Sequence, residues 1–442
     1  MRNINDLIKQ VKALEIQLAV CTRCGMCQSV CPLFDRTGKE SDVARGKLAL
    51  LSGLISHIFS DPDGVNERLN RCLLCGSCAA NCPSGVNALE IFIRARAILA
   101  EYKGLSLIKK ILFKRMLANP KAFNVLMKMA SKFQNLMIKS NRNQQGTSCA
   151  RFISPLLKDR HFMAMADYPF HKTISHNAIS QIQPEQTCGT ISVLLFTGCL
   201  IDKIMPQIAQ ACVTALTHHK VRVIIPETQG CCGIPALAAG DQNTFNTLMT
   251  YHIDLFERES FDYLVTACAT CTSTIKKLWP SLYQDSMPEN TKAFLNKLAE
   301  KTMDINEFLV DVMGVSASND SNSSFKREPV TYHDPCHLKK SLGIFKQPRQ
   351  LLVAAGHPVK EMIDSDKCCG MGGSFNLFHY DLSSQIGTIK QKNIIDTQCS
   401  IVTSGCPACI MQISDMLSRA GTDIRVKHPI ELYAKSLGPQ IL

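Results

Sequence analysis

Two stretches of this chain read Cys21-Thr22-Arg23-Cys24-Gly25-Met26-Cys27-Gln28-Ser29-Val30-Cys31-Pro32 and Cys72-Leu73-Leu74-Cys75-Gly76-Ser77-Cys78-Ala79-Ala80-Asn81-Cys82-Pro83. Both follow C-x2-C-x2-C-x3-C-P, the spacing at which three thiolates bind one [4Fe–4S] cluster and the fourth, before the proline, binds a neighbouring cluster. We therefore predict two [4Fe–4S] clusters, the first held by Cys21, Cys24, Cys27 and Cys82 and the second by Cys31, Cys72, Cys75 and Cys78. Paired C-x2-C motifs also occur in zinc ribbons and disulfide frameworks, but the duplicated run with both prolines disfavours these alternatives.

Composition favours an intracellular metalloprotein. The chain has 442 residues, enough for about three domains, and 22 cysteines. Its N-terminus shows no secretory signal, and no apolar run approaches the roughly 18 residues that span a bilayer. We therefore expect a cytoplasmic protein with thiolate ligands rather than disulfides. The formal net charge is +12; part of this excess is expected to offset buried clusters, and without an aromatic-interleaved basic patch we expect no nucleic-acid partner.

The first part of the chain has the periodicity of helices. Apolar residues recur at helical spacing over 5–20, 42–60 and 88–102, which predicts a helical ferredoxin-like domain over residues 1–104. Residues 105–187 are predicted to form basic amphipathic helices, broken at Asn119-Pro120, and then a polar linker. Such helices pack on the core of their own protein, dock on a partner, or lie on an anionic surface such as the inner face of the cytoplasmic membrane. The last alternative would be a peripheral association through Lys109, Lys110, Lys114 and Arg115.

The C-terminal half contains a cysteine repeat. One copy, in a predicted domain over residues 188–327, has a lone cysteine, a Cys-Cys-Gly and a C-x2-C pair; the second, over residues 328–442, has the same three parts. In both copies 31 residues separate the lone cysteine from the Cys-Cys-Gly, and 35 or 36 residues then precede the final pair. The cysteines are Cys199, Cys231, Cys232, Cys268 and Cys271 in the first copy, and Cys336, Cys368, Cys369, Cys406 and Cys409 in the second.

Each copy alternates short apolar strands with helical stretches, which predicts an α/β unit with a largely parallel sheet. The fold class is thus α+β and multidomain. Several repeat cysteines follow the carboxyl ends of strands, where such sheets collect ligands, so each copy is predicted to form a metal site, iron–sulfur or zinc. Five thiolates exceed the four ligands that zinc takes, which favours iron–sulfur. Two histidines beside Cys336, His333 and His337, are interpreted as structural, with hydrogen bonding to sulfur or proton relay as the alternative.

The order of these parts resembles a known family. Two ferredoxin runs, a basic helical linker and two CCG copies are similar to the iron–sulfur subunit of glycolate oxidase, within the CCG superfamily that includes heterodisulfide reductase and the iron–sulfur subunit of anaerobic glycerol-3-phosphate dehydrogenase. The resemblance implies an electron-transfer subunit whose partner FAD subunit oxidises glycolate or D-lactate, and whose clusters pass electrons to quinone or another acceptor. It also implies one or two further clusters in the CCG domains, of the noncubane [4Fe–4S] type in heterodisulfide reductase.

Two other functions stay open. One is a thiol/disulfide reductase of the heterodisulfide type, and the other is the iron–sulfur subunit of a glycerol-3-phosphate dehydrogenase. The sequence shows no G-x-G-x-x-G fingerprint, so FAD is expected in a partner only. No catalytic residue is predicted in this chain.

Overall fold

The computed structural model describes residues 4–137, 146–149, 159–173, 190–282, 288–317 and 327–438. The chain divides into two compact units. The first unit comprises Met1–Ala118, Gly233–Asn246 and Lys367–Lys390, and the second comprises Asn119–Cys232, Thr247–Asp366 and Gln391–Leu442. The predicted fold class, a multidomain α+β protein with a helical ferredoxin-like part and two α/β copies, is confirmed. The four domain boundaries proposed from the sequence stay predictions.

In residues 4–118 of the first unit, helices joined by short loops are the only regular secondary structure, with no strand among them. Asp61 caps the helix that begins at Pro62 by accepting hydrogen bonds from the backbone N–H groups of Asp63 and Gly64, and Asn87 caps the next long helix through Glu90 N–H. The helices are Ile4–Lys12, Glu15–Ala19, Met26–Ser29, Phe34–Thr37, the 3₁₀ turn Glu40–Asp42, Ala44–Ile55, Pro62–Asn70, Ser77–Ala80, Ala88–Lys103, Leu107–Lys110 and the π-helix Ile111–Leu117.

The remaining helices alternate with strands or connect them. They are Pro120–Met137, Phe170–Thr173, Gly198–Lys203, Pro206–His218, Ile234–Ala238, Gln242–Phe256, Ala269–Ser273, Trp279–Ser281, Glu289–Lys301, Ile305–Glu307, Gln347–Ala354, Ser374–Phe378, Tyr380–Ile395, Pro407–Arg419 and Pro429–Ser436, with π-helices at Thr274–Leu278, Phe308–Val312 and His337–Leu342. Among the described residues, no helix is both long and apolar enough to cross a bilayer.

Two parallel sheets form the centre of the second unit. The strands are β1 Thr147–Cys149, β2 His161–Met163, β3 Ser192–Leu195, β4 Arg222–Ile224, β5 Tyr263–Thr266, β6 Thr302–Asp304, β7 Val330–His333, β8 Ile401–Ser404 and β9 Arg425–Lys427. One sheet has the order β4-β3-β5-β6 and the other β7-β8-β9, and every pairing in both is parallel. The predicted parallel architecture of both copies is therefore confirmed.

The sheets are buried by apolar side chains. Val193, Leu194 and Leu264 have no exposed surface, and a second cluster joins Val330, Tyr332, Leu352, Ile401 and Leu432. Strands buried on both faces are apolar along their length, because helices cover each side of a parallel sheet. Burial of each such aliphatic side chain stabilises the fold by about 1.5–3 kcal/mol.

Three local features differ from the sequence-based expectations. The predicted helix over 5–20 is two helices, since residues 13 and 14 form a turn between them. The predicted helix over 42–60 is shorter, Ala44–Ile55. The predicted linker lies mostly outside the described residues, but its described part contains the antiparallel pair β1 and β2.

Candidate metal centres

Two cavities in the first unit are lined by the cysteines of the ferredoxin runs. One is lined by Cys21, Cys24 and Cys27 together with Cys78 and Cys82. The other is lined by Cys31 together with Cys72, Cys75 and Cys78. The fourth cysteine of each run thus lies with the first three of the other run, which is the arrangement that the proposed ligand sets need. The ligand assignment itself stays a prediction.

The backbone repeats the symmetry of the cysteines. Arg23 and Leu74, at matching places in the two runs, both have left-handed φ values, 58° and 54°. The glycines two residues later also match, with φ of 85° at Gly25 and 72° at Gly76. Non-glycine residues in this region are strained and persist where the surrounding structure requires them. The paired turns curl each run around its cavity and direct its thiols inward.

Backbone amides point at three of these sulfurs. Phe34 N–H donates to Cys31 Sγ at 3.5 Å, Leu74 N–H to Cys72 Sγ at 3.5 Å and Val86 N–H to Cys82 Sγ at 3.4 Å. Such bonds stabilise a thiolate and tune the potential of a cluster.

Burial opposes ionisation of the free thiols. It raises the pKa of Cys31 to about 11, and burial followed by the nearby thiols raises the pKa of Cys78 well above its usual value. A metal ion at this site would offset the effect of burial on these two thiols, because it deprotonates a coordinating thiol outright.

Two buried cations lie beside the second cavity. The ammonium of Lys47, which lines that cavity, donates to the carbonyl of Asp42. The guanidinium of Arg96 donates to the carbonyls of Leu69 at 3.1 Å, Cys72 at 2.6 Å and Ala238 at 2.7 Å. A buried cation needs negative charge nearby. A cluster with four thiolate ligands is negatively charged, so both the donor set and the local charge fit [4Fe–4S] groups.

Seven repeat cysteines form one connected group in the second unit. Thiol hydrogen bonds run from Cys231 to Cys199 and Cys232, from Cys271 to Cys232 and Cys268, and from Cys268 and Cys409 to Cys406. The bonds join the first copy to the C-x2-C pair of the second. Seven thiols in contact exceed the four that a structural zinc site uses, which supports iron–sulfur chemistry here.

The thiols of this group differ in acidity. Hydrogen bonds from Cys268 and Cys409 hold the pKa of Cys406 well below its usual value. Hydrogen bonding to neighbouring thiols, together with burial, holds the pKa of Cys231 and Cys271 well above it.

Close packing and hydrogen bonds hold the cysteine loops of the first copy of the repeat in place. A Cβ at Gly198, whose φ is 65°, would lie 3.1 Å from Cys271 Sγ, so the absence of a side chain admits the thiol. The indole of Trp279 donates to the carbonyl of Cys232 at 3.1 Å. His252 Nε2 accepts from Gly230 N–H at 3.0 Å, and burial lowers the pKa of His252 to about 4, so its imidazole is neutral at pH 7.

The second copy is divided between the units. Cys336, Cys406 and Cys409 lie in the second unit, whereas Cys368 and Cys369 lie in the first; all five are buried. Cys368 Sγ accepts from Gly370 N–H at 3.4 Å. The five predicted ligands of this site therefore stay a prediction as a set.

The two histidines near Cys336 have hydrogen-bond partners. His333 Nδ1 lies 3.1 Å from the carbonyl of Ser365, as a structural histidine would. His337 Nδ1 lies 3.0 Å from Thr270 Oγ1, which is itself 3.5 Å from Cys406 Sγ. His337 thus reaches the sulfur of Cys406 through the hydroxyl of Thr270.

Several residues around these sites carry no sequence signal. Arg96, Trp279 and His252 lie outside every cysteine motif, and they bond backbone carbonyls or amides that are distant in the chain. A spacing rule finds metal ligands because they recur in register, whereas these supporting contacts depend on tertiary packing.

Family models and relatives agree with this organisation. A model described as "4Fe-4S dicluster domain" matches residues 17–86, and one described as "Cysteine-rich domain" matches residues 193–276 and 330–414. The chain is 26% identical to "Probable glycolate oxidase iron-sulfur subunit" of Bacillus subtilis, over 99% of this chain and 98% of that protein. It is 31% identical to "Lactate utilization protein A 2" of Bacillus cereus, over 56% of this chain and 99% of that protein.

A more distant relative and a solved structure extend the comparison. One of the subunits of the dihydromethanophenazine:CoB--CoM heterodisulfide reductase of Methanosarcina barkeri is 25% identical over 97% of both chains. "Crystal structure of a hypothetical protein from Helicobacter pylori" is similar in fold, with a TM-score of 0.50 at 10% identity, covering all of this chain and 78% of that one. On its two dicluster cysteine runs and its duplicated cysteine-rich domain, the chain belongs to the CCG-domain family of iron–sulfur proteins.

Proposed function

We propose that this chain is the iron–sulfur electron-transfer subunit of a flavin-dependent dehydrogenase of 2-hydroxy acids such as glycolate or D-lactate. A partner subunit with FAD would oxidise the acid, and quinone or another acceptor would take the electrons. The bound clusters would supply one-electron carriers between the two. The names of the relatives from Bacillus subtilis and Bacillus cereus support this donor class.

The observation that carries the proposal is the close approach of two cysteine motifs in the first unit. A Cβ at Gly372, in the glycine-rich loop after Cys368-Cys369, would lie 3.2 Å from the Cα of Leu73. Leu73 stands between Cys72 and Cys75 of the second ferredoxin run. Gly372 therefore allows the loop that carries Cys368 and Cys369 to approach the second ferredoxin run closely, which supports a relay of electrons from site to site.

Glycine at the preceding turn fixes the same loop. Gly370 has φ of 94°, and a Cβ there would lie 2.5 Å from the carbonyl of Ser383. The hydroxyl of Ser383 donates to the carbonyl of Gly370 at 2.8 Å. The chain's own residues thus hold and orient the cysteine loops, while the hydride chemistry belongs to the partner.

Purification from the native host tests the proposal. The tagged chain should copurify anaerobically with a flavoprotein, and the complex should reduce a quinone analogue when glycolate or D-lactate is added. Cys72→Ser should keep the flavoprotein and its flavin reduction by the acid but lose most quinone reduction. Quinone reduction unchanged in Cys72→Ser, or a complex without flavin, would contradict the proposal.

A second candidate function is disulfide reduction of the heterodisulfide type. The connected group of seven thiols favours it, because it joins cysteines of both copies in one buried place, and the relative from Methanosarcina barkeri has that activity in its name. It predicts that an added disulfide oxidises the reduced protein and that Cys232→Ser abolishes this oxidation. A reduced protein that no disulfide oxidises would exclude it.

A further inference from the structure

The basic excess of the chain lies in one segment. Residues 102–158 contain 12 Lys and Arg and no Asp or Glu, so the 37 basic residues elsewhere balance the chain's 37 acidic residues. The net charge of the chain therefore equals the charge of this one segment. A block of one sign in an otherwise neutral chain is typical of a segment that meets an oppositely charged surface.

The helix Pro120–Met137 lies in this segment and belongs to the second unit. One of its faces packs against other residues of that unit. A Cβ at Gly230 would lie 3.0 Å from Pro120, so the helix begins against that glycine. Lys203 Nζ lies 5.5 Å from the ring centre of Phe123. The amide of Gln134 bonds the backbone of Met165 twice, donating to its carbonyl at 3.2 Å and accepting from its N–H at 2.9 Å. This inner face therefore packs on the protein's own core, which is one of the alternatives that the sequence left open for the segment.

The opposite, outer face exposes apolar side chains. It is formed by Val125, Leu126, Met129, Phe133 and Leu136, whose exposed fractions are 62%, 38%, 54%, 59% and 65%. At about 100° per residue these five lie within about 100° of arc around the helix. Exposed apolar side chains that line up in this way mark an interaction site rather than chance.

Lysines border the outer face along one edge. Lys121, Lys128 and Lys132 are all exposed, and at about 100° per residue they lie within about 60° of that edge. This is the pattern of a helix that lies in the plane of a membrane surface, with apolar residues in the acyl region and lysines at the headgroups.

The preceding helices show the same composition in the first unit. Leu107, Ile108 and Ile111 are exposed by 76%, 71% and 53%, and Lys110, Lys114 and Arg115 are exposed beside them. Lys109, which the sequence placed among the lipid-facing residues, instead lies with Nζ 5.1 Å from the ring centre of Phe378, and burial lowers its pKa.

We propose that the outer face of Pro120–Met137 binds an anionic lipid surface, with the exposed residues of 107–115 as a second contact of the same kind. The charge of the segment indicates a lipid surface as the binding partner. The segment contains no carboxylate that would repel phosphate headgroups, and three lysines border the apolar strip. The helix is not apolar enough to span a bilayer. The proposal does not depend on which donor feeds the clusters.

Vesicle sedimentation of the full, cluster-loaded chain tests the proposal. Phosphatidylcholine vesicles with about 30% phosphatidylglycerol should bind the chain at least about tenfold better than neutral vesicles, with salt weakening the difference. Lys121→Glu with Lys128→Glu and Lys132→Glu should lower this binding by about tenfold or more. Met129→Ser with Phe133→Ser should also lower it, since the apolar strip would no longer insert.

A matched variant controls for net charge. Lys9→Glu with Lys39→Glu and Lys297→Glu changes the charge equally at exposed lysines outside the segment, and should keep vesicle binding within about twofold of the unchanged chain. Visible absorption of the clusters checks that each variant is folded. Equal losses in the control and the Lys121 variant, or no binding by the unchanged chain, would overturn the proposal. So would variants that bind vesicles normally but lose a protein partner, since the outer face would then be a protein interface.

Discussion

Cys82 is the fourth cysteine of the second ferredoxin run but lines the cavity of the first run, and Cys31, the fourth cysteine of the first run, lines the cavity of the second. Two double variants test whether the fourth cysteine of each run binds the cluster of the other run. If the ligands cross, Cys21→Ser with Cys82→Ser damages one cluster, whereas Cys21→Ser with Cys31→Ser damages both. Total iron and the cluster signals in electron paramagnetic resonance should therefore fall further in the second double variant.

The control for this experiment is Cys212→Ala. Cys212 is buried in the helix Pro206–His218 of the second unit and belongs to neither run, so its replacement should leave the iron content unchanged. Equal iron losses in the two double variants would contradict the crossed ligand sets.

Arg96 gives a second prediction at the scale of one residue. Arg96→Ala would remove the guanidinium donor from the carbonyls of Cys72 and Ala238, whereas the carbonyl of Leu69 still accepts from the N–H of Cys72 at 3.0 Å. We therefore expect it to lower the free energy of unfolding by about 2 kcal/mol or more. Denaturant titration measures this. Arg94→Ala, on the same helix, removes only a partly exposed ion pair with Glu90 and should cost less than about 1 kcal/mol. Similar losses in both variants would show that the Arg96 contacts contribute little.

Sequence alone finds the cysteines at this scale but not the residues that support them. A thiolate ligand is constrained by spacing along the chain, so both runs and both CCG copies are visible without a structure. Trp279 and Arg96 act on backbone atoms that only folding brings near. Their roles could not be predicted from a single sequence.

At the scale of elements, the end of β6 carries an unusual carboxyl group. Asp304 is fully buried; burial raises its pKa to about 7, although two hydrogen bonds from Asn306 oppose the shift, while Glu307 and Cys406 add to it. The folded state therefore binds a proton that the unfolded state has lost above about pH 4. Stability should fall as the pH rises from about 5.5 to about 8, by about 2 kcal/mol from this group.

Asp304→Asn isolates the contribution of this carboxyl. The amide oxygen still accepts from Asn306 but cannot ionise, so the variant should lose less stability than the unchanged protein between about pH 5.5 and about pH 8. Thermal unfolding at both pH values measures the difference. A pH dependence identical in the two proteins would show that Asp304 does not titrate in this range.

Four of the strands, β3, β5, β7 and β8, were predictable for a simple reason. Each is a short apolar run followed within a few residues by a repeat cysteine, as in Tyr263–Thr266 before Cys268 and Ile401–Ser404 before Cys406. The strands β1, β2, β6 and β9 have no such cysteine after them and were not predicted. The turn at Ala13-Leu14 and the π-helix Ile111–Leu117 were not, because the apolar periodicity continues across both.

At the scale of the whole molecule, the metal content of the CCG sites distinguishes an electron relay from a scaffold. We predict iron beyond that of two ferredoxin-type clusters and no stoichiometric zinc. Cys271→Ser, which removes a thiol bonded to both Cys232 and Cys268, should lower total iron while the ferredoxin signals persist. Elemental analysis beside electron paramagnetic resonance measures both. Zinc that disappears in this variant while iron stays constant would identify a structural zinc site.

The order of domains and the family were visible in the sequence, because the cysteine motifs are specific. The sequence did not predict that the second CCG copy is divided between the two compact units. Its Cys368 and Cys369 belong to the first unit, and its Cys336, Cys406 and Cys409 belong to the second. The sequence shows that the two copies differ in spacing by one residue and in the glycine content of their loops. It does not show what each loop contacts, as the approach of Gly372 to Leu73 illustrates.

One measurement tests the central claim most directly. The complex, isolated anaerobically with its native partners, is frozen before and after addition of glycolate, D-lactate or glycerol 3-phosphate, and the cluster signals are recorded by electron paramagnetic resonance. We predict that glycolate or D-lactate produces the signals of reduced [4Fe–4S] clusters, and that glycerol 3-phosphate does not. Clusters that no hydroxy acid reduces, in a complex where dithionite reduces them fully, would contradict the proposed function.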